Sequence, residues 1–173
     1  MEKRAEIPKS SEDAIGRFLS KWRNTKVAKE IKVPFLDIAC GNNILAKHVS
    51  PGFGIDIINY GSADVLVKDF NALPFKEESF ESVSIVASLN YFDQPKRVLS
   101  EAARVLKPGG ILILTLINPV IGRIWHVFRE PWAKYPGFSF SQLQSFTDGT
   151  ALRYTRRSTF MLGANCLYIY KKP

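Results

Sequence analysis

Apolar residues in this chain follow two spacings that exchange along its length. Over 11–32, Ile15, Phe18, Leu19, Trp22, Val27 and Ile31 recur at helical intervals among lysines and arginines. This predicts an amphipathic helix, capped by Ser10 or Ser11 and ended by Pro34. The apolar positions at 33–39 are nearly contiguous, the mark of a strand buried on both faces. A Gly/Asn turn at 40–43 follows, then a short helix at 44–49 broken by Pro51 and Gly52. Strands are expected at 53–57, 65–68, 82–88 and 111–117, with a strongly amphipathic helix at 95–106 stopped by Lys107-Pro108-Gly109-Gly110. Further on, helices are expected at 120–130 and 140–146, then two strands at 154–161 and 167–170 with Gly163-Ala164-Asn165 between them.

Short apolar strands alternating with helices predict an α/β fold: a parallel sheet with helices on both faces. One link is too short for that scheme. Six residues, 58–63, join the second and third strands, where a parallel crossover takes about a dozen. The expectation there is a turn in place of a helix, or a short third strand.

The 173 residues are 46% hydrophobic and 23% charged, which fits a single domain and excludes a disordered chain or a disulfide scaffold. No apolar run approaches the ~20 residues of a membrane span. The start, MEKRAEIPKSSEDAIGRF, lacks a signal-peptide core, so the expected location is cytoplasmic, with Cys40 and Cys166 as reduced thiols and no metal site. The net charge of +8 is unevenly spread: residues 1–32 carry +4, 33–70 carry −2, 71–118 balance and 119–173 carry +6. Basic ends around an acidic middle suit nucleic acid, an anionic lipid surface or an acidic small molecule, or else a well-solvated face.

The acidic middle holds the candidate chemistry. FLDIACGNN, residues 35–43, sits where a strand hands over to a helix, the ligand crevice of open α/β sheets. Ala39 and Gly41 let backbone approach a ligand, and Asn43 tolerates a left-handed turn. Asp56, at the end of the next strand, is placed to accept two hydrogen bonds from a ribose diol.

Four segments, in order, extend this pattern. FLDIACGNN resembles the glycine-rich first motif of class I S-adenosylmethionine-dependent methyltransferases, and GIDI (54–57) resembles their acidic second motif. KDFNALPFKEESFESV (68–83) and EAARVLKPGGILILT (101–115) are similar to two further motifs of the type 11 methyltransferase group. The resemblance covers about half the chain. It implies a Rossmann-like α/β fold, an open, mostly parallel seven-stranded sheet with helices on both faces and a C-terminal antiparallel hairpin, and S-adenosylmethionine as cofactor.

It also implies roles for individual residues. Asp37, Ala39 and Gly41 would line the methionine end of the cofactor, Asp56 would hold the ribose and Ile57 would flank the adenine. Asp69 would accept from the adenine amino group beside Phe70, Ala87 and Ser88 would contact the amino-acid end, and Asn90 and Tyr91 would face the methyl group. The first and third glycines of the usual motif are Ala39 and Asn43 here, and Asn43 is expected to leave the cofactor less room.

One domain is expected over 1–173: a basic helical cap (1–32), a cofactor-binding core (33–118) and an acceptor-side lid with the last strands (119–173). On the lid, PVIGRIWHVFREPW (119–132) offers His126 as a candidate base and Arg129 as a candidate acceptor ligand, or both as the polar face of a packed helix. His48 reads as a surface or packing residue. The leading function is methyl transfer to a small-molecule or lipid-like acceptor, with peripheral membrane contact for a basic, aromatic lid. The alternatives are a nucleic-acid methyltransferase, suggested by pI ≈ 9.6, and a catalytically silent cofactor-binding relative. Against the first, the fourth strand ends in ASLNYF without the Pro-Pro-aromatic motif of base-methylating enzymes.

Overall fold

The apolar stretches become the strands of one twisted sheet in the computed structural model, which describes residues 14–121 and 137–173. In chain order the elements are α1 (Ala14–Ala28), β1 (Phe35–Ile38), α2 (Ile44–His48), β2 (Gly52–Asp56), β3 (Val65–Leu66) and β4 (Phe80–Val86). They continue with α3 (Pro95–Val105), β5 (Leu106–Ile117), α4 (Phe140–Thr147), β6 (Arg153–Phe160) and β7 (Asn165–Lys171). The strand order is β3-β2-β1-β4-β5-β7-β6. The first five strands run parallel, whereas β7 is antiparallel to both β5 and β6, giving the expected terminal hairpin.

Strand β1 is central and buried throughout, so its alternate residues supply two cores. Leu36 and Ile38 face one packed against Val98, Leu99 and Ala102 of α3 and Leu143 of α4. Phe35 faces the other, with Val27 of α1 and Leu45 and Ala46 of α2. Each fully buried Leu or Ile contributes about 1.5–3 kcal/mol, and β5 alone supplies Leu112, Ile113 and Leu114 at 0% exposure.

The short link behaves as its length requires. No helix forms between β2 and β3, and β3 is two residues long. One boundary differs from expectation. Lys107-Pro108-Gly109-Gly110 does not form a loop between α3 and the strand; it opens β5, with the Gly109 amide donating to the Lys172 carbonyl and the Lys172 amide to Gly110. The paired chain end satisfies backbone that would otherwise have favoured a turn. The expected helix at 120–130 begins at residues 119–121, and its remainder lies outside the described residues.

Candidate functional site

The carboxyl ends of the neighbouring strands β1, β2 and β4 lie along one edge of the sheet, where open α/β folds have their ligand crevice, and the chain bends sharply at each. Ala39 (φ 57°) and Ala87 (φ 53°) leave β1 and β4 in the left-handed region, as does Gly41 (φ 54°) in the turn after β1. Non-glycine residues adopt this conformation rarely, and it clusters where backbone is held for a ligand. The Ala87 bend is fixed from β5, since its amide donates to both the carbonyl and the hydroxyl of Thr115 at 3.0 Å. At Gly41 a Cβ would meet nothing within 4 Å, so the turn faces open space.

Two buried carboxylates line this crevice. Asp37 pairs in register with Ser84 of β4, whose hydroxyl donates to its Oδ1. Asp37 is 3% exposed, and burial, opposed by the Ser84 hydrogen bond and reinforced by Asp56, pushes its pKa up to about 7. Asp56 ends β2 at 5% exposure. Its Oδ2 accepts the Gly41 amide at 2.8 Å and its Oδ1 the Ile58 amide at 3.0 Å. A carboxylate has about four acceptor positions, so lone pairs remain for two further donors.

Cys40 follows in the turn after β1, and both cysteines are free thiols. Burial together with Asp37, Asp56 and Asp64 pushes the Cys40 thiol up to about 12, which makes it inert as a nucleophile.

The other expected residues spread along the same edge. Ile57 is exposed beyond Asp56. Asp69 accepts the amide of Asn71, which fixes the turn where buried Phe70 packs 5.0 Å from the ring of Phe92. Ser88 and half-buried Asn90 and Tyr91 follow β4 in a short helical turn, Leu89–Tyr91. His48 is exposed at the end of α2, its ring bonded to the Ile44 carbonyl at 2.6 Å. His126 and Arg129 lie outside the described residues.

Asn43 corrects the expectation about room. Its side chain is fully buried and turns away from the crevice, donating from Nδ2 to the Ser62 carbonyl and to Asp64 Oδ2, both at 2.9 Å. It stabilises the loop beneath the turn instead of crowding the opening.

One residue that sequence reasoning passed over belongs to this region. Arg23 lies four positions from Leu19 and from Val27, on the stripe of α1 that packs against the sheet. Its Nε is buried and makes no hydrogen bond, and Tyr91 is its electrostatic neighbour. The signal was available in the helical spacing, which places Arg23 in line with apolar residues.

Residues 36–114 match the methyltransferase domain family. Among curated relatives, the demethylmenaquinone methyltransferase of Renibacterium salmoninarum is 30% identical over 127 residues, covering 64% of this chain and 54% of that protein. The corresponding Thermotoga maritima enzyme is 29% identical over 157 residues, covering 75% of this chain and 69% of that protein. This chain therefore spans between half and about two thirds of the length of these relatives. Among solved structures, an S-adenosylmethionine-dependent methyltransferase of T. maritima superposes with a TM-score of 0.74 at 19% identity, covering 94% of this chain and 98% of that one. The N-methyltransferase NodS of Bradyrhizobium japonicum, solved with S-adenosyl-L-homocysteine, gives a TM-score of 0.67 at 15% identity, covering 97% and 93%.

Proposed function

We propose that this chain, whose residues 36–114 match the methyltransferase domain family, transfers a methyl group from S-adenosylmethionine to a small, lipid-like acceptor. The observation that carries the reading is the acidic crevice. Two buried carboxylates, Asp37 and Asp56, stand beside an open left-handed turn at Gly41, between strand ends bent at Ala39 and Ala87. Such a site fits a cofactor that is cationic at one end and carries a diol at its centre.

The cofactor supplies a methyl group made electrophilic by its sulfonium, so the hard chemistry is its own. What remains for the chain is binding, orientation and charge. Asp56 would take the ribose hydroxyls on the lone pairs left by the amides of Gly41 and Ile58. Asp37 would meet the cationic amino-acid end in its ionised form. Gly41 would admit that end over the turn, with Ala39 below it and Ala87 and Ser88 alongside. Ile57, Asp69 and Phe70 would flank the adenine. Asn90 and Tyr91 would border the acceptor, and His126 and Arg129 of the lid would orient it; an acceptor proton that must leave would pass to His126.

The lipid-like acceptor is supported by the relatives named as demethylmenaquinone methyltransferases and by a lid sequence rich in tryptophan and arginine. Purified protein incubated with S-adenosylmethionine and separate lipid and aqueous cell extracts tests this by mass spectrometry. The expected product is a lipid-fraction molecule that gains one methyl group. Gain confined to nucleic acid, or absent from both extracts, would contradict the reading.

A further inference from the structure

Arginine is charged at every physiological pH, and burying its guanidinium without an anion is costly. Arg23 is half-buried, and among the described residues no carboxylate forms an ion pair with it. The residue sits one helical turn from Val27, itself at 0% exposure, and from Leu19, which packs on the same core. Its Nε lacks a hydrogen-bond partner. The group that interacts with it electrostatically is Tyr91, a phenol in the turn just beyond β4. Burial lowers the pKa of Arg23 from its ordinary value, opposed by Tyr91. The acids of the crevice lie elsewhere: Asp37 is bonded to Ser84, and Asp56 to the amides of Gly41 and Ile58. Helix α1 therefore holds an unsatisfied donor and positive charge against the end of β4, beside the residues that border the acceptor in the reading above.

We infer that Arg23 receives an ionised oxygen of the methyl acceptor, so that the acceptor is an anion of carboxylate or phenolate type. The planar guanidinium suits either group, since both present oxygen lone pairs in the plane of a conjugated system. Arg23 is a positioning residue: it orients the acceptor, and Tyr91 beside it sets the other wall. The inference rests on the methyl-transfer reading for the word acceptor, and on the buried, unpartnered Nε beside Tyr91 for everything else.

The test titrates wild type, Arg23→Met and Arg23→Lys with 4-hydroxybenzoate and with its neutral counterpart 4-hydroxybenzamide. Each titration is run with and without saturating S-adenosylhomocysteine and read by NMR at the arginine Nε–H signals. The expected result is that 4-hydroxybenzoate shifts the Arg23 signal and the amide does not. Arg23→Met should weaken benzoate binding at least tenfold, Arg23→Lys should retain part of it, and S-adenosylhomocysteine affinity should stay within twofold. Equal benzoate binding by wild type and Arg23→Met would overturn the inference. So would a tenfold loss of S-adenosylhomocysteine affinity, which would assign Arg23 to the cofactor's own carboxylate. The melting temperature of Arg23→Met checks that it folds. Failure of wild type to bind S-adenosylhomocysteine would count against the proposed function, while titration of the unloaded protein still decides the matter for Arg23.

Discussion

The side-chain amide of Asn43 fills the space that a side chain at position 54 would need. A Cβ on Gly54 would lie 2.0 Å from Asn43 Oδ1 and 2.5 Å from its Cγ. Gly54 in turn pairs with Asp37 across β1 and β2, and its amide donates to Asp64 Oδ2 at 2.7 Å. The same Asp64 oxygen accepts from Asn43 Nδ2. The turn after β1 and the loop before β3 are thus locked together through one asparagine and one glycine.

Gly54→Ala should therefore destabilise the fold by about 1–3 kcal/mol, the usual cost of overpacking a buried site. The double change Gly54→Ala with Asn43→Gly should recover part of that loss by removing the clashing amide. Chemical denaturation of the three proteins measures both; additive losses in the double variant would show that the two residues do not compete for space.

Asp37 gives the protein a pH dependence whose sign follows from its raised pKa, about 7. Between the ordinary carboxylate range and about pH 7, the native carboxyl keeps a proton that the unfolded chain releases, so stability falls as pH rises. Below that range the effect is absent, and above about pH 7 it is complete. Asp37→Asn keeps an acceptor for Ser84 without the charge, and should be more stable than wild type at pH 8 by on the order of 2–4 kcal/mol. Melting curves at pH 5 and 8 check this; a difference that does not grow with pH would contradict it. Binding a cationic cofactor should pull the proton off Asp37. Calorimetry near pH 6.5 in buffers of different ionisation enthalpy should then register proton release.

Arg104 and Glu101 hold a loop to α3. The Arg104 guanidinium donates to Glu101 at 2.8 Å and to the carbonyls of Phe75 and Leu73 at 2.9 and 3.1 Å, while Glu101 accepts the Leu73 amide at 2.8 Å. Arg104 keeps the Glu101 carboxyl below its ordinary pKa, so this support is present above the unfolded glutamate range and lost as acid protonates Glu101. Arg104→Ala should cost about 1–2 kcal/mol after allowance for solvent exposure. It should also raise hydrogen exchange at Leu73 without changing exchange in β1.

This clamp shows what the sequence made legible and what it did not. Motif segments at 68–83 and 101–115 are readable as separate strings, but only the fold shows that Arg104 and Glu101 of one grip Leu73 and Phe75 of the other. The parallel order of the first five strands follows from their apolar runs and intervening helices, and the shortness of β3 from the six-residue link. The start of β5 at Leu106 was hidden because Pro108 and two glycines signal a turn, and only pairing with Lys172 at the far end of the chain reverses that signal. Asp37 and Asp56 were legible as candidate residues because carboxylates at strand ends are rare in apolar stretches. Arg23 was legible only through its helical spacing in line with Leu19 and Val27, a faint mark for one basic residue among nine in 1–32. Asn43 was misread because the sequence places it in the turn without saying which way its side chain leaves.

Calorimetric titration of S-adenosylhomocysteine into wild type and Asp56→Ala tests the central claim most directly. The account predicts saturable binding to wild type at one site per chain. It predicts binding to Asp56→Ala weakened at least tenfold, from loss of a charge-assisted contact that contributes about 1.5–3 kcal/mol. No binding to wild type, or the same affinity in Asp56→Ala, would contradict it.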